Sequence, residues 1–250
     1  MKTTSNSKPA RRWYEHGLGL RQKFEPVYKL FRFLPGEEGR RAYAVWLGAL
    51  REAQMEQTLA SFEKVVSALG PESIALDLGA NVGDYTAKLA ATNAQVHAFE
   101  PEPRLYRHLQ QRFSDTPNVT LHQAAISTED GFIKLNLEAR DGPNPLELMS
   151  HSIVEGSDLT KGGLQVEVES VDLFAFIDRL GKAPALIKMD IEGAEVAILE
   201  KLFDENRVHD IGELFVETHE RQIPALRDRI VEIHKRVQAS SIKNINLLWP

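Results

Sequence analysis

The chain has 250 residues and no cysteine. Disulfides, zinc–thiolate centres, iron–sulfur clusters and cysteine nucleophiles are therefore excluded. No apolar run approaches the ~20 residues needed to span a bilayer. The first ten residues, Met1-Lys-Thr-Thr-Ser-Asn-Ser-Lys-Pro-Ala10, lack the apolar core of a secretory signal. The expectation is a soluble, cytoplasmic protein without a transmembrane segment.

What the chain does have is unevenly distributed charge. The formal net charge is −6. Residues 1–41 hold ten basic side chains and four acids, a net of +6, which leaves −12 for the remainder. An acidic body disfavours nucleic acid as a partner, while the basic arm suits an anionic surface or a second copy of the chain. Aromatic residues interleave with the basic ones between Trp13 and Leu34, a pattern that also suits an arm packed on the body. Hydrophobic residues make up 42% of the chain, enough for one sizeable core.

Pro35-Gly36 interrupts the chain, and a long helix is expected after it. Met55, Leu59, Phe62, Val66 and Leu69 step by four and three along one helical face, and Gly70-Pro71 ends the pattern. Strands and helices then alternate. Strands are expected at 73–78, 95–99, 119–126, 185–189, 211–216 and 245–248, with amphipathic helices between most of them. Residues 131–171 differ, because 132–137 and 164–171 alternate as an antiparallel pair around a Gly/Pro/Ser-rich loop at 141–163. The fold class is therefore α/β: a Rossmann-like, doubly wound, mostly parallel sheet with a helical N-terminal extension and an inserted antiparallel hairpin. The chain divides into an arm plus long helix at 1–70 and a cofactor-binding domain at 71–250.

Ligands of such sheets bind at the carboxyl ends of the strands. Here those ends carry Asp77-Leu-Gly79-Ala80-Asn81-Val-Gly83-Asp-Tyr85-Thr86, then Glu100-Pro101, Asp190-Ile-Glu192-Gly193 and Glu217-Thr-His219. The glycine spacing departs from the dinucleotide pattern G-x-G-x-x-G. An acid two residues before the first glycine opposes a pyrophosphate and favours a cation. S-adenosyl-L-methionine carries both a sulfonium and an ammonium. Glu100, 23 residues after Asp77 on the next strand, is placed to accept both hydroxyls of a ribose.

The segments 77–86, 99–101, 118–127 and Ile187-Lys-Met-Asp-Ile-Glu-Gly-Ala-Glu195 resemble the FkbM-type S-adenosylmethionine-dependent methyltransferases. The resemblance covers about residues 72–220. It implies a class I methyltransferase fold and methylation of a hydroxyl on a sugar or secondary metabolite. It also implies that Asp77, Gly79, Ala80, Asn81 and Gly83 line the methionine end of the cofactor. Tyr85 and Thr86 open the helix beneath it, Glu100 and Pro101 lie at the ribose, and Ala125 and Ile126 lie along the adenine. Class I sheets finish with an antiparallel pair of strands, whereas only residues 244–249 follow the last helix here. Either one strand is missing or the sheet closes differently.

Transfer to a hydroxyl benefits from a general base, worth ~10²–10⁴-fold. Asp190 and Glu192 form one i, i+2 pair and Glu217 and His219 another, expected to face each other across one crevice. Asp190 is a candidate for catalysis and for cofactor contact. His219 is a candidate base because the ordinary histidine pKa of ~6.5 suits proton abstraction. Glu192 is the third catalytic candidate, and Glu192 and Glu195 would also complement the first turn of the next helix. A divalent ion on Asp190 with Glu217 or His219 has no supporting ligand motif, so no metal is expected. The competing reading is a non-catalytic cofactor-binding module docked through its basic arm to a protein, glycolipid or anionic partner.

Overall fold

The computed structural model describes residues 37–137, 151–152, 164–220 and 223–249. The arm at 1–36 and most of the loop at 141–163 lie outside them, as do the docking and oligomer expectations attached to the arm.

Ile74–Leu78 forms β1, buried along its whole length. A strand covered on both faces belongs in the middle of a sheet. Its neighbours are β2 (Gln95–Phe99) and, across the chain, β8 (Leu186–Met189), both parallel to it. Outward from β2 lies β3 (Val119–His122), and outward from β8 lie β9 (Glu213–Val216) and β10 (Ile245–Asn246). The six-stranded order is β10-β9-β8-β1-β2-β3, and every pairing is parallel. This is the doubly wound order, and the direction of winding reverses between β1 and β8. It is the α/β, mostly parallel sheet expected from the alternation of elements.

The closure left open by the short C-terminal segment is resolved by β10, which pairs in parallel with β9. Among the described residues no antiparallel strand joins this sheet. Trp249 follows β10 and is 1% exposed, so the end of the chain packs into the core.

One expected strand is in fact two. Residues 119–126 split at Gln123-Ala124 into β3 and β4 (Ala125–Ser127). β3 pairs with β2, whereas β4 pairs with β7 (Leu164–Asp172) in a second sheet of order β4-β7-β5-β6. The inserted hairpin is present: β5 (Gly131–Leu137) runs antiparallel to β7 from Gly131↔Ser170 to Leu137↔Leu164. The two-residue β6 (His151–Ser152) extends it on the other side.

The helices are α1 (Glu37–Ser67), α2 (Asp84–Ala90), α3 (Pro103–Arg112), α4 (Leu173–Leu180), α5 (Glu195–Asp204) and α6 (Arg227–Ala239). Local chemistry marks several of their ends. Pro103 stands at the start of α3, and the Glu102 carboxylate accepts from Leu105 N–H. Asp172 caps α4 through Phe174 N–H and Ala175 N–H, and Gly181 ends it at φ +65°.

Alternation along β1 sorts the core to its two faces. Ile74, Leu76 and Leu78 join Phe99, Phe174, Ile187, Met189 and Leu199 on one face. Ala75 joins Val96, Leu186, Phe215, Trp249 and Phe62 on the other. Helix α1 spans both, with Trp46 and Leu47 in the first cluster and Phe62 and Val66 in the second. Residues 37–67 therefore share the core of the strands. The helix stops at Ser67, and Leu69, expected on its apolar stripe, packs half-buried just beyond it.

Candidate active site

Each parallel strand of the central group passes its last hydrogen bond beyond its own end. Gly79 N–H and Ala80 N–H donate to Phe99 O at 3.1 and 2.9 Å, and Glu100 N–H to His122 O at 3.0 Å. Asp190 N–H donates to Leu78 O at 3.0 Å and Glu217 N–H to Met189 O at 2.9 Å. The residues that follow β1, β2, β8 and β9 are thereby held level along one edge, where the winding reverses.

The turn after β1 is built around glycine. Gly79 has φ +82°, and a Cβ there would lie 1.8 Å from Asp190 O, so only glycine lets β1 and the β8 exit meet. Asn81 follows at φ +52° and Gly83 at φ +89°. Asn81 N–H donates to Glu100 Oε2 at 2.8 Å, and Glu102 N–H to Glu100 Oε1 at 2.9 Å. Glu100 is fully buried and aimed by these two bonds, on the strand beside the turn. Ala80, Thr86 and Pro101 are buried around it, and Tyr85 is half-buried.

Asp77 is also fully buried, beneath this turn and not open to a ligand. Its Oδ2 accepts from Thr86 Oγ1 at 2.6 Å, and its Oδ1 lies 3.6 Å from Lys188 Nζ. Burial pushes the Asp77 carboxyl above the usual range, against the pull of Lys188. The cation that Asp77 faces thus belongs to the chain. Lys188 is 3% exposed and donates to Gly79 O at 2.9 Å. It also lies 3.5 Å from Asp190 Oδ2 and 5.4 Å from the Tyr85 ring centroid. Sequence reasoning missed Lys188 as a site residue, although a lysine inside an apolar strand, Leu186-Ile-Lys188-Met189, was the available signal.

Asp190, Glu192, Glu217 and His219 are brought together as the i, i+2 pairs suggested. His219 Nε2 lies 3.1 Å from Glu192 Oε2, 3.7 Å from Asp190 Oδ1 and 3.9 Å from Glu217 Oε1. Its Nδ1 lies 3.0 Å from Glu195 Oε1. Glu195 is fully buried, and its other oxygen accepts from Gly193 N–H at 2.7 Å, so it serves the helix start and the histidine together. Glu192 reaches the ring from a left-handed backbone, φ +56°, a conformation that costs a non-glycine residue about 1–2 kcal/mol. Such strain persists where surrounding contacts over-determine it, often at a functional site.

These neighbours bear on the reading of His219 as a base. A carboxylate faces each ring nitrogen, an arrangement that suits a hydrogen on both. Burial alone would lower the histidine pKa, but Glu192 and Glu195 outweigh it and push it up to about 11. The surroundings of His219 thus favour the imidazolium, which has no lone pair to take a proton. The group tuned near neutrality is Glu217, raised to about 7 by burial and by the charge of Asp190. Asp190, Glu192 and His219 bring ligand atoms within 4.8 Å of one another, a spacing a metal ion would fit.

Ala125 and Ile126, expected along the adenine, are buried on β4. Ala125 packs with Leu135 and Val168 in the second sheet, and Ile126 joins the main core. Their side chains therefore support the segment at 123–126 from behind.

A family model described as the methyltransferase FkbM domain matches residues 77–239. Methyltransferase 1 of Beauveria bassiana is 27% identical over 154 residues, which cover 54% of this chain and 60% of that protein. The hexuronic acid methyltransferase AglP of Haloferax volcanii is 25% identical over 149 residues, 59% of this chain and 56% of that protein. The chain therefore spans somewhat more than half the length of these relatives. Among solved structures, the DhpI–SAM–HEP complex superposes with a TM-score of 0.24 at 15% identity, over 72% of this chain and 91% of that one.

Proposed function

The chain belongs to the FkbM methyltransferase family, and from that premise we propose that it is an S-adenosylmethionine-dependent O-methyltransferase acting on a hydroxyl of a carbohydrate or small metabolite. The donor set fits that cofactor. Asp190 and Glu192, with side chains 30% and 18% exposed, complement a sulfonium and an ammonium. The turn at 79–83, Glu100 on the neighbouring strand and the segment at 123–126 would hold the methionine end, the ribose and the adenine. When bound, the cofactor supplies an electrophilic methyl group. Asp77 and Lys188 act from beneath, holding Thr86 and Gly79 and so the shape of the turn.

The observation that carries the catalytic assignment is the convergence of Asp190 and Glu217 on one imidazolium, within 4 Å of the same nitrogen. A base works best when its pKa lies near the working pH, and Glu217 meets that condition while His219 does not. In this reading a carboxylate oxygen of Glu217 receives the hydroxyl proton, and His219 holds the surrounding acids in place. Asp190 contacts the cofactor or orients the acceptor. A cytoplasmic location belongs to the same reading and is checked by cell fractionation. No helix among the described residues is long and apolar enough to cross a membrane.

The test is transfer of a labelled methyl group to a panel of glycans and hydroxylated metabolites. Glu217→Gln should lower turnover by about 10²–10⁴-fold while leaving cofactor affinity near that of the wild type. A fully active variant would remove Glu217 from the role. Cofactor binding without transfer to any acceptor would favour the non-catalytic module.

A further inference from the structure

Arg51 stands on α1, outside the matched family domain at 77–239. It is 9% exposed, and it occupies the turn before Met55 on the apolar stripe of the helix. An arginine on that stripe either snorkels to solvent or has a buried partner. The partners here lie 167–169 residues away, in the segment that leaves β9.

One guanidinium nitrogen of Arg51 donates to Thr218 Oγ1 at 2.5 Å and to Thr218 O at 3.1 Å. The same nitrogen is 3.4 Å from both carboxylate oxygens of Glu220, which is fully buried. Thr218 and Glu220 flank His219, so the arginine grips the chain on both sides of the imidazolium. The segment is closed further by Ile223 N–H, which donates to His219 O at 2.8 Å.

We infer that Arg51 is a positioning residue of the active site, fixing from helix α1 the Thr218–Glu220 segment that carries His219 and sets the place of Glu217. The inference deepens the proposed function, because it takes the ends of β8 and β9 as the reaction site. It gives α1 a part in the chemistry that the family domain alone does not contain.

Charge runs through the same contact. Glu217 is faced by Asp190 from the β8 exit, by Lys188 from β8, by Glu192 from the turn before α5, by His219 from its own segment and by Arg51 from α1. The two acids favour its protonated form, and the three cations favour its ionised form. Removing Arg51 should therefore leave Glu217 protonated to higher pH, and so a weaker base at neutrality.

Two variants separate position from charge. Arg51→Lys keeps the cation but ends one bond short of the terminal nitrogen that meets Thr218 and Glu220 together. Arg51→Met combined with Glu220→Gln removes both charges, so no buried carboxylate is left unpaired. In Arg51→Lys, hydrogen exchange at the amides of Glu217 and Ile223 should quicken about tenfold. In the double variant, the side-chain carboxyl ¹³C resonance of Glu217, assigned by its loss in Glu217→Gln, should titrate about one pH unit higher than in Glu220→Gln alone, which already lacks that acid's charge. Arg51→Lys should titrate as the wild type does.

Unchanged exchange in Arg51→Lys would overturn the positioning role, and this arm stands even if the double variant fails to fold. A Glu217 midpoint equal in the folded double variant and in Glu220→Gln would overturn the charge contribution. Neither measurement uses cofactor or acceptor. Failure of S-adenosylmethionine to bind the wild type would count against the proposed function and leave these readings in place.

Discussion

His219 has a carboxylate at each ring nitrogen, so its charge is governed by Glu192, Glu195, Asp190 and Glu217 more than by histidine's own affinity for protons. The consequence reaches stability. A folded-state pKa near 11 against an unfolded value of 6.5 means that the stabilisation is fully present below pH 6.5 and lost as pH rises through about 11. A His219→Gln variant cannot carry the charge. It should be less stable than the wild type by about 3–5 kcal/mol at pH 6, as for a broken buried ion pair. In thermal melts at a series of pH values, the gap should narrow toward pH 11, and a gap independent of pH would refute the imidazolium. The strand-end acids were legible in the sequence because they follow apolar runs. Their electrostatics were not, because Glu195 and Glu192 meet His219 only after β8 and β9 pair. Lys188 was hidden for the same reason, since it opposes Asp77 only through the β1–β8 register.

At the scale of elements, hydrophobic periodicity carried the reading where one partner surface was involved. The stripe of α1 predicted Phe62 and Val66 as core, and both are buried. Phe62 meets Tyr85, Phe215 and Trp249 with ring centroids 4.5–5.7 Å apart, joining α1 to α2, β9 and the end of the chain. Phe62→Ala should destabilise the fold by about 3–5 kcal/mol in denaturant titration. A change under 1 kcal/mol would mean that α1 is not part of the core. Periodicity failed at residues 119–126, where Gln123-Ala124 carries no glycine or proline to mark the passage between sheets. The split comes from pairing: β2 offers partners only to Val119–His122, and β7 takes Ala125–Ser127. Arg51 shows the reverse case, a polar residue on an apolar stripe whose meaning depended on a segment more than 160 residues away.

For the molecule as a whole, the alternation of elements was enough to predict a doubly wound sheet. It did not predict how the sheet closes, because a two-residue strand such as β10 has no periodicity of its own; its place follows from pairing with β9 and burial of Trp249. The acidic body has a corresponding geography, with Glu100, Asp190, Glu192 and Glu217 at the ends of consecutive strands in space. Asp77 lies just beneath them, balanced internally by Lys188. The central claim is that this edge holds S-adenosylmethionine, and calorimetric titration of that cofactor into the wild type and Glu100→Ala tests it most directly. The account predicts one site per chain in the wild type and a loss of at least about tenfold in affinity in the variant, which removes both the ribose acceptor and the anchor of Asn81 N–H. Equal affinity in the two proteins would contradict it.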